Sequence, residues 1–104
     1  MAQRLKLVTL PARTVATSGT EVTAYNGNLE VFSAIIISLS TNTGTQYVGD
    51  SSVATSNGIP IAPDGSLELG PPENVRADTF NLGEVYLDSS SNNAEFRIAA
   101  WIRG

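Results

Sequence analysis

The sequence predicts an all-β fold: an antiparallel β-sandwich or barrel, jelly-roll-like, of about seven or eight short strands. Three observations predict it. Apolar and polar residues alternate in short runs, as in Arg4-Leu5-Lys6-Leu7-Val8 and Ser66-Leu67-Glu68-Leu69, which is the period of a half-buried strand. No window sustains apolar residues at i, i+3, i+4 and i+7, and β-branched residues and glycine, weak helix formers, are spread throughout. Turn-forming groups such as Asn26-Gly27, Asp64-Gly65 and Gly70-Pro71-Pro72 punctuate the chain between the runs.

In order, the first strand lies within Arg4–Val8 and is ended by Pro11. Residues 12–20 read as a polar connector. Glu21-Val22-Thr23-Ala24-Tyr25 is the second strand, and Asn26-Gly27 suits a type I′ hairpin turn because both residues tolerate positive φ. Leu29 to Leu39 reads as one central strand. Its unbroken apolar run, Ala34-Ile35-Ile36-Ile37, fits burial on both faces or a bend between two sheets. Thr41-Asn42-Thr43-Gly44 turns into a short strand, Thr45 to Val48. A polar loop spans 49–58. Ile59-Pro60-Ile61 is an edge or extended piece, because proline cannot donate to a ladder. Asp64-Gly65 leads into Ser66–Leu69, and Gly70-Pro71-Pro72 breaks the chain before an irregular stretch at 73–81. Gly83–Leu87 and Glu95–Ile102 are the last strands, joined by an all-polar hairpin loop from Asp88 to Asn93. The expected core is Leu7, Val22, Leu29, Val31, Ile35, Ile37, Leu39, Val48, Leu67, Leu69, Val85, Leu87, Phe96, Ile98 and Trp101.

At 104 residues the chain is sized for one domain. Its charge divides it into residues 1–20, a basic arm or first strand, and residues 21–104, the β-sandwich. Arg4, Lys6 and Arg13 lie in the first segment, which has no acid; Glu21 to Glu95 holds all ten acids and only Arg76 as a base. The arm reading has Arg4, Leu5, Lys6, Leu7 and Arg13 docking on an acidic neighbour, such as a second copy. An acidic body opposes binding to nucleic acid, because phosphate repels it. The longest apolar run is far short of the ~20 residues of a membrane helix, and no apolar stretch follows Arg4 and Lys6 as in a secretory signal. No membrane partner is expected, and synthesis in the cytoplasm is.

The residue types disfavour catalysis. There is no His and no Cys, so the commonest acid–base group, the commonest metal ligand and any thiolate site are missing. A carboxylate pair such as Glu84 and Glu95, expected on adjacent strands, has the residue type of a glycosidase pair, but facing acids on a sheet are ordinary solvated surface. Asp50, Asp64 and Asp88 fall in expected loops without the spacing of a calcium loop. No enzyme activity, cofactor or metal is expected. Tyr25, Tyr47, Tyr86 and Trp101 are a candidate sugar-stacking set, against which stands ordinary cross-strand packing.

One stretch carries a family resemblance. Tyr47-Val48-Gly49-Asp50-Ser51-Ser52-Val53, then Asn57-Gly58-Ile59-Pro60-Ile61, then Pro63-Asp64-Gly65 into Ser66-Leu67-Glu68-Leu69, resembles a recurrent pattern of small all-β virion proteins of tailed bacteriophages, capsid decoration (cement) proteins included. Asn81-Leu82-Gly83-Glu84-Val85-Tyr86-Leu87-Asp88-Ser89 and the closing strand extend the resemblance over about residues 29–102. Tyr47, Gly49, Gly58, Pro60 and Gly65 are its turn-and-strand markers. The resemblance implies a virion structural protein with no catalytic residues, bound to the major capsid protein or other virion subunits and to copies of itself, with a trimer favoured. The alternatives are a tail, baseplate or head–tail accessory subunit, and a carbohydrate-binding module for the host surface. Residues 1–20 lie outside the pattern.

Overall fold

The computed structural model describes residues 4–70 and 79–104. The strands are β1 Leu5–Thr9, β2 Arg13–Val15, β3 Val22–Thr23, β4 Glu30–Val31, β5 Ser33–Ser38, β6 Gln46–Gly49, β7 Ile59–Ile61, β8 Ser66–Leu69, β9 Phe80–Asn81, β10 Tyr86–Ser89 and β11 Ala94–Arg103. The only helical piece among the described residues is a 3-10 turn, Leu82–Glu84. Every pairing is antiparallel. The front sheet has the order β1-β11-β5-β8, with β2 also on β11; the back sheet has the order β3-β10-β6-β7; β4 and β9 form a small ribbon. Taking β1 and β2 as one interrupted strand and setting the ribbon aside leaves principal strands ordered 1-8-3-6 and 2-7-4-5. This is the double Greek key of a jelly roll.

Pro11 explains the interruption of the first strand. Thr9 pairs with Ala99 and Arg13 with Phe96, so this strand spends one residue more than β11 over the same span. The extra residue falls where proline has no N–H to give the ladder, and the strand bulges there. Leu10 N still donates to Ile98 O at 3.0 Å, which holds the register up to the bulge. The polar connector expected at 12–20 therefore contributes a strand of its own, β2.

β11 shows how alternation builds the core. Ala94, Phe96, Ile98 and Ala100 point inward and are buried; Arg97 and Trp101, of the opposite parity, are exposed. Across the ladder, Ala34, Ile36 and Ser38 of β5 face the same interior, and Val48 and Leu87 close it from the back sheet. Val31, Val48, Leu87, Phe96 and Ile98 of the expected core are buried, and Val22, Leu29, Leu67, Leu69 and Val85 pack partly buried against them.

The rest of the expected core needs correction. Ile35, Ile37 and Leu39 have the opposite parity and lie half-buried on the outer side of the front sheet, while Leu7 and Trp101 are exposed there. The run Ala34–Ile37 is apolar at every position, so it carries no parity signal. Ser38 misleads, because this serine is the inward residue. Burial of Ser38 is met by a bond from its Oγ to Gln46 Oε1 at 2.6 Å.

Two expected hairpins are also corrected. Asn26-Gly27 is not a type I′ turn: Gly27 has φ 125°, but Asn26 is not in the positive-φ region. β3 pairs with β10 rather than β4, so this segment crosses between sheets. The Gly27 carbonyl packs where a side chain on Gly83 would stand, which requires glycine there. Asp88–Asn93 is not a hairpin loop either. Asp88 and Ser89 are buried residues of β10, and the chain from β10 to β11 passes from the back sheet to the front. The central strand Leu29–Leu39 is split at Phe32, whose N–H donates to Trp101 O at 2.8 Å as the chain bends into the ribbon. Pro71-Pro72 and most of the stretch expected to be irregular lie outside the described residues.

Candidate functional site

The most distinctive surface is the outer face of the front sheet. Alternation brings Leu5, Leu7 and Thr9 of β1 to this face, beside Arg103, Trp101, Ala99, Arg97 and Glu95 of β11, Ser33, Ile35 and Ile37 of β5, and Glu68 and Ser66 of β8. Leu7 pairs directly with Trp101, and Ala99 with Ile35. The result is an oblique apolar band from Leu5 and Leu7 through Trp101, Ala99 and Ile35 to Ile37. Leu5 is 44% exposed, Leu7 55% and Trp101 43%, three of the four large hydrophobic side chains most open to water among the described residues. Two shallow depressions, about 240 and 310 Å³, run along the band, one floored by Ile35 and Ala99 and the other by Ile37 and Ala99. Contiguous exposed apolar surface with polar rims is the mark of an interaction site, whereas scattered single residues are not.

Charge flanks the band on both sides. Arg97 stands on β11, with Nε donating to Glu95 Oε2 at 3.3 Å in an exposed ion pair. Glu68 stands on β8, two strands away. Arg103 lies at the end of the face, its guanidinium 5.9 Å from the Phe32 ring centre, a cation–π distance.

The residues proposed for an N-terminal arm divide. Leu5, Lys6 and Leu7 belong to β1, the edge strand of the chain's own front sheet, and Arg4 O accepts from Gly104 N at 2.8 Å. Leu5 and Leu7 join the apolar face; Lys6 has the opposite parity. Arg13 is half-buried in β2, where Nε donates to Thr23 O at 2.7 Å and ties the front sheet to β3 of the back sheet. Of the five marker residues, Tyr47, Gly49, Gly58 and Pro60 stand around the loop between β6 and β7, and Gly65 lies in the next turn, between β7 and β8. Tyr47 and Gly49 lie in β6, and Pro60 of β7 pairs with Tyr47. A side chain at Gly58 would come within 2.6 Å of Tyr47 Cβ and 2.8 Å of Val53 Cγ2. Gly65 completes the turn in which Asp64 takes φ 68°.

The candidate chemical sets do not assemble. Glu84 is in the 3-10 turn and Glu95 in β11, not on adjacent strands as expected. Asp50, Asp64 and Asp88 are distributed over a loop, a turn and a buried strand, and among the described residues no three His, Cys, Asp or Glu side chains gather as a metal site would require. Tyr47 and Tyr86 share the outer face of the back sheet, on the opposite side of the sandwich from Trp101. Asp50 has a local role: Ser52, through its hydroxyl at 2.6 Å and its N–H at 2.9 Å, holds the carboxyl below its ordinary value of 3.8.

Sequence reasoning missed a buried polar network at one end of the sandwich. Asn42 Nδ2 donates to Ser38 Oγ at 2.9 Å and to Glu95 O at 2.8 Å, while its Oδ1 accepts from Glu95 N at 2.9 Å. Gln46 Nε2 donates to Thr43 O at 3.0 Å and Ser89 Oγ at 3.3 Å. On the outer side of β10, buried Asp88 accepts from Gly19 N at 3.0 Å and Ser89 N at 2.7 Å through Oδ1; Oδ2 has no partner among the described residues. These groups satisfy backbone and link loops, which is how buried polar residues are normally accommodated.

Comparison with protein-family models, curated proteins and solved structures finds no match to this chain.

Proposed function

We propose that this chain is a structural subunit of a bacteriophage virion, a decoration protein held on the outer surface of the capsid. The observation that carries the reading is the exposed apolar band on the front sheet, which marks the chain as a subunit that works joined to other protein. A small domain that leaves Leu5, Leu7 and Trp101 in water beside half-buried Ile35 and Ile37 has a surface suited to covering by protein. The jelly-roll strand order adds support by analogy alone, because viral capsid domains use this architecture, as do lectins. The marker residues from Tyr47 to Gly65 add the resemblance to phage virion proteins.

The physical logic is that of a multivalent clamp. A decoration protein must remain soluble until it meets the shell, and a net charge of −4 opposes its aggregation. Once several copies are joined, modest individual contacts combine into high avidity for a repeating surface. The test is a density map of the intact particle, with mass spectrometry of purified virions. The expected result is this jelly roll on the exterior of the head. Density confined to the tail, or particles that lack the chain, would overturn the proposal.

A further inference from the structure

The ladder registers fix where side chains stand on the outer face of the front sheet. Arg97 pairs with Ile37, which pairs with Ser66; Ala99 pairs with Ile35, which pairs with Glu68. Arg97 and Glu68 are therefore opposite corners of a rectangle, two strand spacings wide (about 10 Å) and two residues tall (about 7 Å). The line equidistant from these two charges runs obliquely across the sheet. It passes between Ile35 and Ile37, then between Ala99 and Trp101, and leaves β1 between Leu5 and Leu7. It is the axis of the apolar band.

That coincidence matters for symmetry. Two identical faces packed about a two-fold axis lying in their interface exchange positions across the axis. Residues along the axis meet their own copies, and residues on either side meet each other. We propose that a second copy of this chain covers the front sheet, with the two-fold along the apolar band and Arg97 against the partner's Glu68. Symmetry makes this pair twice per dimer. Leu7, Trp101, Ala99, Ile35 and Ile37 form the dry centre, and the two ion pairs form the rim.

The second copy is favoured over an unrelated partner because this face supplies its own complement. It carries both signs of charge, at equal distances from its own apolar axis. Arg97 already has Glu95 beside it at 3.3 Å, so a positive residue flanked by an acid extends to a second acid without stranding a buried charge. The contact is isologous and closes at two, and it replaces the trimeric order implied by the resemblance with an even one. It rests on the reading that this face is a protein contact, and leaves other surfaces for attachment to a shell.

Sedimentation and light scattering across a concentration series test it. The wild-type chain is expected to dimerise, more weakly as salt rises. Glu68→Arg or Arg97→Glu alone sets like charges together at two places and should raise the dissociation constant roughly tenfold or more. The double variant Glu68→Arg/Arg97→Glu should return to within about threefold of wild type, because the pair is restored with its signs exchanged. Trp101→Ser should abolish the dimer while circular dichroism shows the fold intact, its side chain being largely outside the core. A wild-type chain that stays monomeric at all concentrations, or a double variant no better than the singles, overturns the proposal. The particle map separates this from the virion reading. A chain that is monomeric in solution and on the head sinks only the dimer. A swap-rescued dimer missing from particles sinks only the decoration role.

Discussion

At the scale of single residues, Asp88 shows how buried polarity is used. Its Oδ1 draws the backbone of Gly19 onto β10, and Ser18 Oγ adds a bond to Ser89 O at 2.8 Å. The connector from β2 to β3 is pinned by these contacts. Asp88→Ala should cost about 1–3 kcal/mol, because it removes the buried acceptor that the Gly19 and Ser89 N–H groups share. Asp88→Asn keeps the accepting oxygen and removes the charge from an atom without a partner, so it should lie nearer wild type. Urea unfolding of the two variants decides; equal losses would show that the Gly19 contact does not matter. Asp50 gives a prediction in pH. Its folded carboxyl is lowered by the Ser52 hydroxyl first and the Ser52 N–H second. Its stabilising effect is therefore complete above the ordinary carboxylate value of 3.8 and is lost as pH falls through the lower folded value. Ser52→Ala should move the Asp50 titration upward, read by NMR of the carboxyl carbon.

At the scale of elements, the ease of reading each strand tracks its local pattern. β8 alternates cleanly and β11 does so from Glu95 to Ile98, and their positions are legible in Ser66–Leu69 and Glu95–Ile102. β5 is apolar at each position from Ala34 to Ile37, so nothing local decides which side faces the core. The start of β10 was legible in Gly83–Leu87, but its end was hidden for the opposite reason: Asp88 and Ser89 look like loop residues, and the Gly19 contact and the Gln46 network bury them. The candidate surface was half legible. Leu5 and Leu7 stood out beside the basic residues, but Trp101, Ile35 and Ile37 were read as core because large apolar residues usually are. The Arg97–Glu68 relation needs the β11-β5-β8 register, which is set by long-range pairing. β1 carries the prediction at this scale. Deleting residues 1–9 removes the ladder from Leu5↔Arg103 to Thr9↔Ala99 and uncovers the edge of β11. The loss should be at least about 3 kcal/mol, a large part of the ~5–15 kcal/mol of a small domain. A truncated chain with wild-type thermal stability would show β1 to be an appended arm.

At the scale of the whole molecule, the jelly roll sets the first and last described strands side by side. β1 pairs with β11, and Gly104 N meets Arg4 O at 2.8 Å. Among the described strands this pair is the farthest apart in sequence, so its loop-closure entropy falls on the folding barrier when the ladder forms early. The arrangement predicts the behaviour of a circular permutant. A short engineered linker can join Gly104 to Arg4, and the exposed Thr55-Ser56 turn offers a place for new ends. That turn lies beyond buried Val53 and before the Gly58 contact with Tyr47, so opening it leaves both packed. The permutant should keep the sheet spectrum of the parent and stay within about 2 kcal/mol of its stability, since no described strand is cut. Its folding should be faster, because β11 and β1 become a local hairpin instead of the most distant pair of described strands. Stopped-flow refolding of parent and permutant measures this directly. Equal stability with an unchanged rate would place the β1–β11 ladder after the barrier. A slower permutant would mean that the segment opened at Thr55-Ser56, between β6 and β7, belongs to the nucleus, with folding beginning in the back sheet and the front sheet closing over it.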